Sequence, residues 1–176
     1  MDSNDLAIRQ KLATIHFFRG ELDEFKANTR QVVRGEHPNA EALALAGTYL
    51  AYSGEWDVGL ELVKRAQVLD PYHPPWYRFA EYYDHYRKKE YEAALNMANQ
   101  FNMPDYVWAQ AQIAAAYGQL GRLDAAQPYV KRILGLNPDF ESTARGNRWK
   151  WFRYQEAMLD QFMDGLRKAG LKIPEK

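Results

Sequence analysis

The chain has no cysteine in its 176 residues, which excludes disulfide staples, thiolate metal sites and a cysteine nucleophile. It also lacks net charge, because 23 Lys+Arg balance 23 Asp+Glu. No global field therefore draws it to nucleic acid or anionic lipid, and only a local patch is left to do so. Serine is confined to Ser3, Ser53 and Ser142. None of these stands in a nucleophile elbow, and no glycine loop has the form of a phosphate cradle. Long apolar runs are missing as well: ALALAGTYLAY at 42–52 is too short to span a bilayer. The opening MDSNDLAIRQ has neither the basic start nor the apolar stretch of a secretory signal. These absences lead to the expectation of a soluble, cytoplasmic, non-catalytic protein that takes no cofactor.

What is present is a repeat. Hydrophobic residues make up 47% of the chain, enough for a core. YGQLGRLDAA (117–126) aligns with LAYSGEWDVG (50–59) and HFFRGELDEF (16–25), each placing a glycine before a charged residue and a second helix. A fourth copy, YRKKEYEAA (86–94), carries Lys89 in the slot of Gly20, Gly54 and Gly121. These positions are 34, 35 and 32 residues apart, and Pro38, Pro71, Pro104 and Pro138 run alongside at 33, 33 and 34. A glycine ends a helix by supplying a left-handed conformation without a Cβ clash, and a proline cannot continue one. Between these marks the apolar residues keep helical spacing: Leu43, Ala46, Gly47 and Leu50, then Leu60, Val63 and Ala66. Each unit reads as two antiparallel helices.

A helix–turn–helix of this length, with small and apolar residues in these slots, resembles the tetratricopeptide repeat family over residues 6–140. Repeat two supplies Leu43, Ala46, Gly47, Leu50, Gly59, Val63, Ala66 and Pro71. Repeat four supplies Gln110, Ile113, Ala114, Tyr117, Ala126, Val130, Ile133 and Pro138. Repeat three opens with Trp76, Phe79, Ala80 and Tyr83, then needs two extra residues before its turn and two fewer after it. Repeat one is the faintest, with Leu12, Ala13 and His16 in the packing slots. The resemblance implies an all-α, right-handed α-solenoid of four helix pairs over residues 1–140. Residues 141–176 then form a linker and an amphipathic capping helix. Met158, Leu159, Phe162, Met163 and Leu166 make the cap's apolar stripe, and Gly170 ends it. The order HPPWYRFAEYY, MPDYVWAQAQIAAAYGQLGR, LNPDF and DGLRKAGL (about residues 70–172) is also similar to the carboxy-terminal repeat region of bacterial regulators. Those proteins carry class III adenylate or guanylate cyclase domains, or winged-helix domains, and the likeness implies a signalling setting.

Three clusters carry side chains suited to chemistry or binding. Glu81, Asp84 and His85 share a helical turn, but no further histidine converges on them, so they read as polar side chains facing water and not as metal ligands. The basic and aromatic RGNRWKWFR (145–153) has the composition to grip nucleic acid or a headgroup surface. Four charges on a neutral chain favour the alternative, in which its rings pack under the cap and its cationic heads stay in water. The surface expected to bind is the concave one, lined by the first helix of each pair. It comprises Gln10, Thr14, Phe17, Thr48, Tyr52, Tyr77, Glu81, His85, Ala111, Ala115 and Gln119. Glutamine, threonine and alanine there do not suit the carboxylate clamp of some tetratricopeptide co-chaperones. A mixed aromatic groove suits an amphipathic helix or extended peptide of a protein partner, unless the tyrosines only pack between helices. The competing readings are a homodimer, paired through the groove or the aromatic tail, and a regulatory fragment of a larger signalling enzyme or transcriptional regulator.

Overall fold

The computed structural model describes residues 3–35, 39–146 and 155–175, and every regular element among them is helical. Four helix pairs follow one another. They are α1 (Ser3–Arg19) with α2 (Leu22–Val33), α3 (Ala40–Tyr52) with α4 (Trp56–Leu69), α5 (Phe79–Arg87) with α6 (Tyr91–Ala98), and α7 (Val107–Gln119) with α8 (Leu123–Leu136). A single turn, α9 (Phe140–Thr143), and a terminal helix, α10 (Glu156–Lys168), complete the set. The all-α class of paired helices is the one the repeat predicts. Contacts gather the described residues into two compact units, one ending at Ala80 and one beginning at Glu81. Helix α10 packs in the second unit, against α7.

Each pair closes at a residue of positive φ: Gly20 (82°), Gly54 (103°), Lys89 (63°) and Gly121 (70°). The next residue donates its N–H back across the turn, Glu21 to the His16 carbonyl, Glu55 to Leu50 and Glu90 to His85 at 2.9 Å, and Arg122 to Tyr117 at 3.0 Å. This is the six-to-one bond of a Schellman motif, which satisfies a carbonyl left over at the helix end. In two of the turns a side-chain clasp repeats the span. His16 Nδ1 meets Glu21 Oε2 at 2.5 Å, and His85 Nδ1 meets Glu90 Oε2 at 2.6 Å. The Glu21 carboxyl is held below its ordinary range by that histidine contact first, with Arg19 adding to it.

The third pair departs from its neighbours. Pro74 and Pro75 open a 3-10 turn over Pro75–Arg78, so α5 begins only at Phe79. Trp76, which the repeat pattern places in the opening turn of that helix, lies before it. Helix α6 is only eight residues long, and Asn102 then takes a positive φ of 48°.

In the first unit, α3 and α4 meet backbone to backbone. A Cβ on Gly47 would lie 2.5 Å from the Gly59 carbonyl oxygen and 2.9 Å from the Val63 amide nitrogen. Leu43, Leu50, Leu62, Val63 and Ala66 are buried along the same seam. Phe17 of α1 is fully buried, stacked on Tyr49 at 4.3 Å between ring centroids and edge-on to Phe25 at 5.4 Å. Helix α1 thus turns Ala13 and Phe17 inward. Leu12, assigned by the pattern to a packing slot, is instead exposed.

Lys89 alone among the four turn residues carries a Cβ, and a left-handed conformation costs such a residue about 1 kcal/mol. Replacing it by glycine should raise the melting temperature by roughly 2–4 °C. Differential scanning calorimetry checks this, and an unchanged or lower value would refute the assigned strain.

Candidate protein-interaction face

The residues expected on the binding face divide by burial. Phe17, Thr48, Tyr52, Tyr77, Ala111 and Ala115 are buried, while Gln10, Thr14, Glu81, His85 and Gln119 are half-exposed. The aromatic members are packing groups: Tyr52 meets Trp56 edge-on at 6.4 Å, and Tyr77 stacks on His73 at 5.0 Å. Thr14 donates its hydroxyl to the Gln10 carbonyl at 3.1 Å, and the Thr48 hydroxyl is buried without a partner. His85 is engaged with Glu90. Asp84 is buried and binds Arg87 at 2.6 Å and Lys88 at 2.7 Å. Among the described residues no three His, Asp or Glu side chains gather as a metal site would require.

In the second unit this face carries a helix of the chain itself. Helix α10 lies along α7, and two glycines set the separation. A Cβ on Gly118 would collide with the Gly165 carbonyl and sit 2.7 Å from the Ala169 amide nitrogen. A Cβ on Gly165 would collide with the Tyr86 hydroxyl and sit 2.8 Å from the Ala115 carbonyl oxygen. Ala115 and Gln119, both read as partner-facing, are thus in contact with α10.

Side chains lock this crossing. Phe162 is fully buried and sits edge-on to Tyr83 and Tyr86, at 5.9 and 5.6 Å. Met158, Leu159, Met163 and Leu166, the rest of the predicted stripe, are buried too. The polar edge is a network. Gln119 Nε2 donates to the Gln161 carbonyl and to Asp164 Oδ2, both at 3.0 Å, and its Oε1 accepts from Lys168 Nζ at 3.0 Å. Gln161 Nε2 donates to the Tyr86 carbonyl at 2.6 Å and to the Tyr91 hydroxyl at 3.0 Å. The Asp164 carboxyl is held below its usual range, first by Lys168 and then by Gln119, against the opposing effect of burial. Burial pushes the phenols of Tyr82 and Tyr86 well above their ordinary value, and Tyr82 donates to the Gln112 carbonyl at 2.7 Å.

The sequence reading missed Tyr86, Gly118, Gln161, Asp164, Gly165 and Lys168. Two signals pointed to them. Gly165 interrupts an amphipathic helix where no turn is needed, which marks a close approach. Gln161, Asp164 and Lys168 also recur at helical spacing beside the apolar stripe. Of the basic and aromatic segment, Arg145 binds Glu156 and Asp160. Residues 147–154 lie outside the described residues, as does Pro38. In the first unit an open groove of about 270 Å³ runs between α2 and α4, with Lys26, Arg30 and Arg34 above Leu50 and Leu62. No described helix is long and apolar enough to cross a membrane.

Two outcomes test this geometry. Gly118→Ala drives a methyl group into α10 backbone, and overpacking of this kind costs roughly 1–3 kcal/mol. Hydrogen exchange should then quicken across residues 156–168 while the first unit keeps its protection. The raised phenols favour the folded state only while they stay protonated. Stability is therefore full below the ordinary tyrosine value near 10 and declines as pH rises beyond it. A denaturant titration across that window should show the decline, and Tyr86→Phe should reduce it.

No family model and no curated protein matches the chain. Among solved structures it is similar to MamA AMB-1, a tetratricopeptide-repeat-like protein. The likeness has a TM-score of 0.64 and 18% identity, and it covers 94% of this chain and 92% of that one. At that identity the likeness is one of fold: a helical repeat of the tetratricopeptide type.

Proposed function

We propose that the chain is a non-catalytic protein-interaction scaffold that takes an amphipathic helix of a partner against the first helices of its pairs. The observation that carries this reading is α10 on α7. Here the face already holds a helix, and the contacts specify what such a helix needs. It needs a small residue against Gly118, an aromatic ring between Tyr83 and Tyr86, and a polar edge for Gln119. Helix-in-groove recognition uses this kind of spaced apolar anchor. In the first unit the matching positions that stay half-exposed are Gln10 and Thr14, and their amide and hydroxyl groups suit the polar edge of such a helix. The neutral charge supports protein or peptide partners over nucleic acid. The cysteine-free composition supports a cytoplasmic setting. A bacterial signalling context rests on the sequence resemblance alone.

The test is binding in trans. Gly165→Leu should unseat α10 in the full chain and open the face. A labelled peptide spanning residues 155–175 of the unaltered sequence should then bind the variant at least about tenfold more tightly than it binds the parent. Failure to bind a variant that keeps its helical circular dichroism would refute the reading.

A further inference from the structure

Helix α1 has two working faces. Its inward face packs Ala13 and Phe17, and its outward face carries Ile8, Leu12 and Ile15 at 57%, 39% and 50% exposure, with Phe18 beside them at 37%. Asp5, Ile8, Leu12, Ile15 and Arg19 recur three and four residues apart, the spacing that keeps one seam facing a partner helix. A core helix has no use for a second apolar seam, and an exposed strip of this kind marks an interaction site. We propose that this seam is a self-association surface, occupied by α1 of a second copy of the chain in an antiparallel, two-fold arrangement.

The ends of the seam select that occupant. Asp5 and Arg19 are both exposed, one before the apolar residues and one after them. A two-fold axis near Leu12 sets each Asp5 toward the other copy's Arg19, and each Ile8 beside the other copy's Ile15. A parallel pair would instead set acid on acid and base on base. Such self-complementarity is what an isologous interface demands. Arg19 spends its Nε on Glu21 Oε1 at 2.8 Å and stays two-thirds exposed, so its terminal nitrogens still reach outward. Lys11 flanks the axis, and its flexible stem carries its ammonium group to water. With zero net charge, two copies meet no long-range repulsion. The strip is short, below the size of a standard interface, so the pair should be a weak, concentration-dependent dimer.

Light scattering on the full chain, from about 1 to several hundred micromolar, reads this directly. The mass should climb from monomer toward twice that value across the range. Leu12→Glu and Ile15→Glu, both at exposed positions, should weaken association at least tenfold while leaving the circular dichroism unchanged. A control on another exposed apolar site, Val68→Glu, should leave it intact. Asp5→Arg should weaken the dimer about two- to fivefold, as exposed ion pairs do, and adding Arg19→Asp to it should restore the parent value. A chain that stays monomeric throughout overturns the proposal, as does a dimer that ignores both glutamates. A double swap that restores nothing overturns the antiparallel arrangement.

Discussion

Backbone contact between helices, made possible by paired glycines, is the constraint on which the packing rests. At Gly47 and Gly59 in the first unit, and at Gly118 and Gly165 in the second, one helix rests on the carbonyls and amides of another. Such contact draws flanking side chains into full burial on both sides of each crossing: Leu43 and Val63 in one unit, Phe162 and Leu166 in the other. Dispersion and apolar burial both grow as the gap between helices closes. A single methyl group in the gap separates all of those contacts together.

The same device makes the terminal helix specific. Its apolar stripe alone would adhere to many hydrophobic surfaces. The notch at Gly165 and the network through Gln119, Gln161, Asp164 and Lys168 fix one axial position and one orientation. Polar groups half-sheltered from water cost free energy when unpaired, so a helix shifted by one turn would lose the network as well as the notch. In the proposed function a partner helix must meet both conditions, which narrows the acceptable ligands far more than hydrophobicity does.

The tyrosines play a related part. Tyr82 and Tyr86 are fully buried, and each spends its hydroxyl on a backbone carbonyl, that of Gln112 or that of Gln161. The large rings fill space between helices, that of Tyr86 reaching the notch at Gly165, and the hydroxyl removes the penalty of burying a polar atom. That explains why so aromatic a segment as residues 76–91 lies mostly inside instead of lining an open groove.

The helix pairs, their turns and the apolar stripe of α10 were legible in the sequence, because each follows from local chemistry. Positive φ favours glycine, proline bars a helix from continuing, and helical spacing gathers apolar residues on one side. Even the exception at Lys89 was readable from its place in the series. Which side of a helix faces what was not legible. Leu12 and Phe17 differ little in hydrophobicity, yet only Phe17 finds Tyr49 and Phe25 to pack on. Pro128 lies within α8, whereas Pro71 and Pro138 directly follow helix ends, since a helix already anchored by Ala126, Val130 and Ile133 tolerates one missing bond. The seat of α10 on α7 joins Gly165 to Gly118, 47 residues earlier in the chain. Local spacing carries no information about such a pairing. Only the folded chain, by bringing two small residues into register, decides which surface is covered and which is left for a partner.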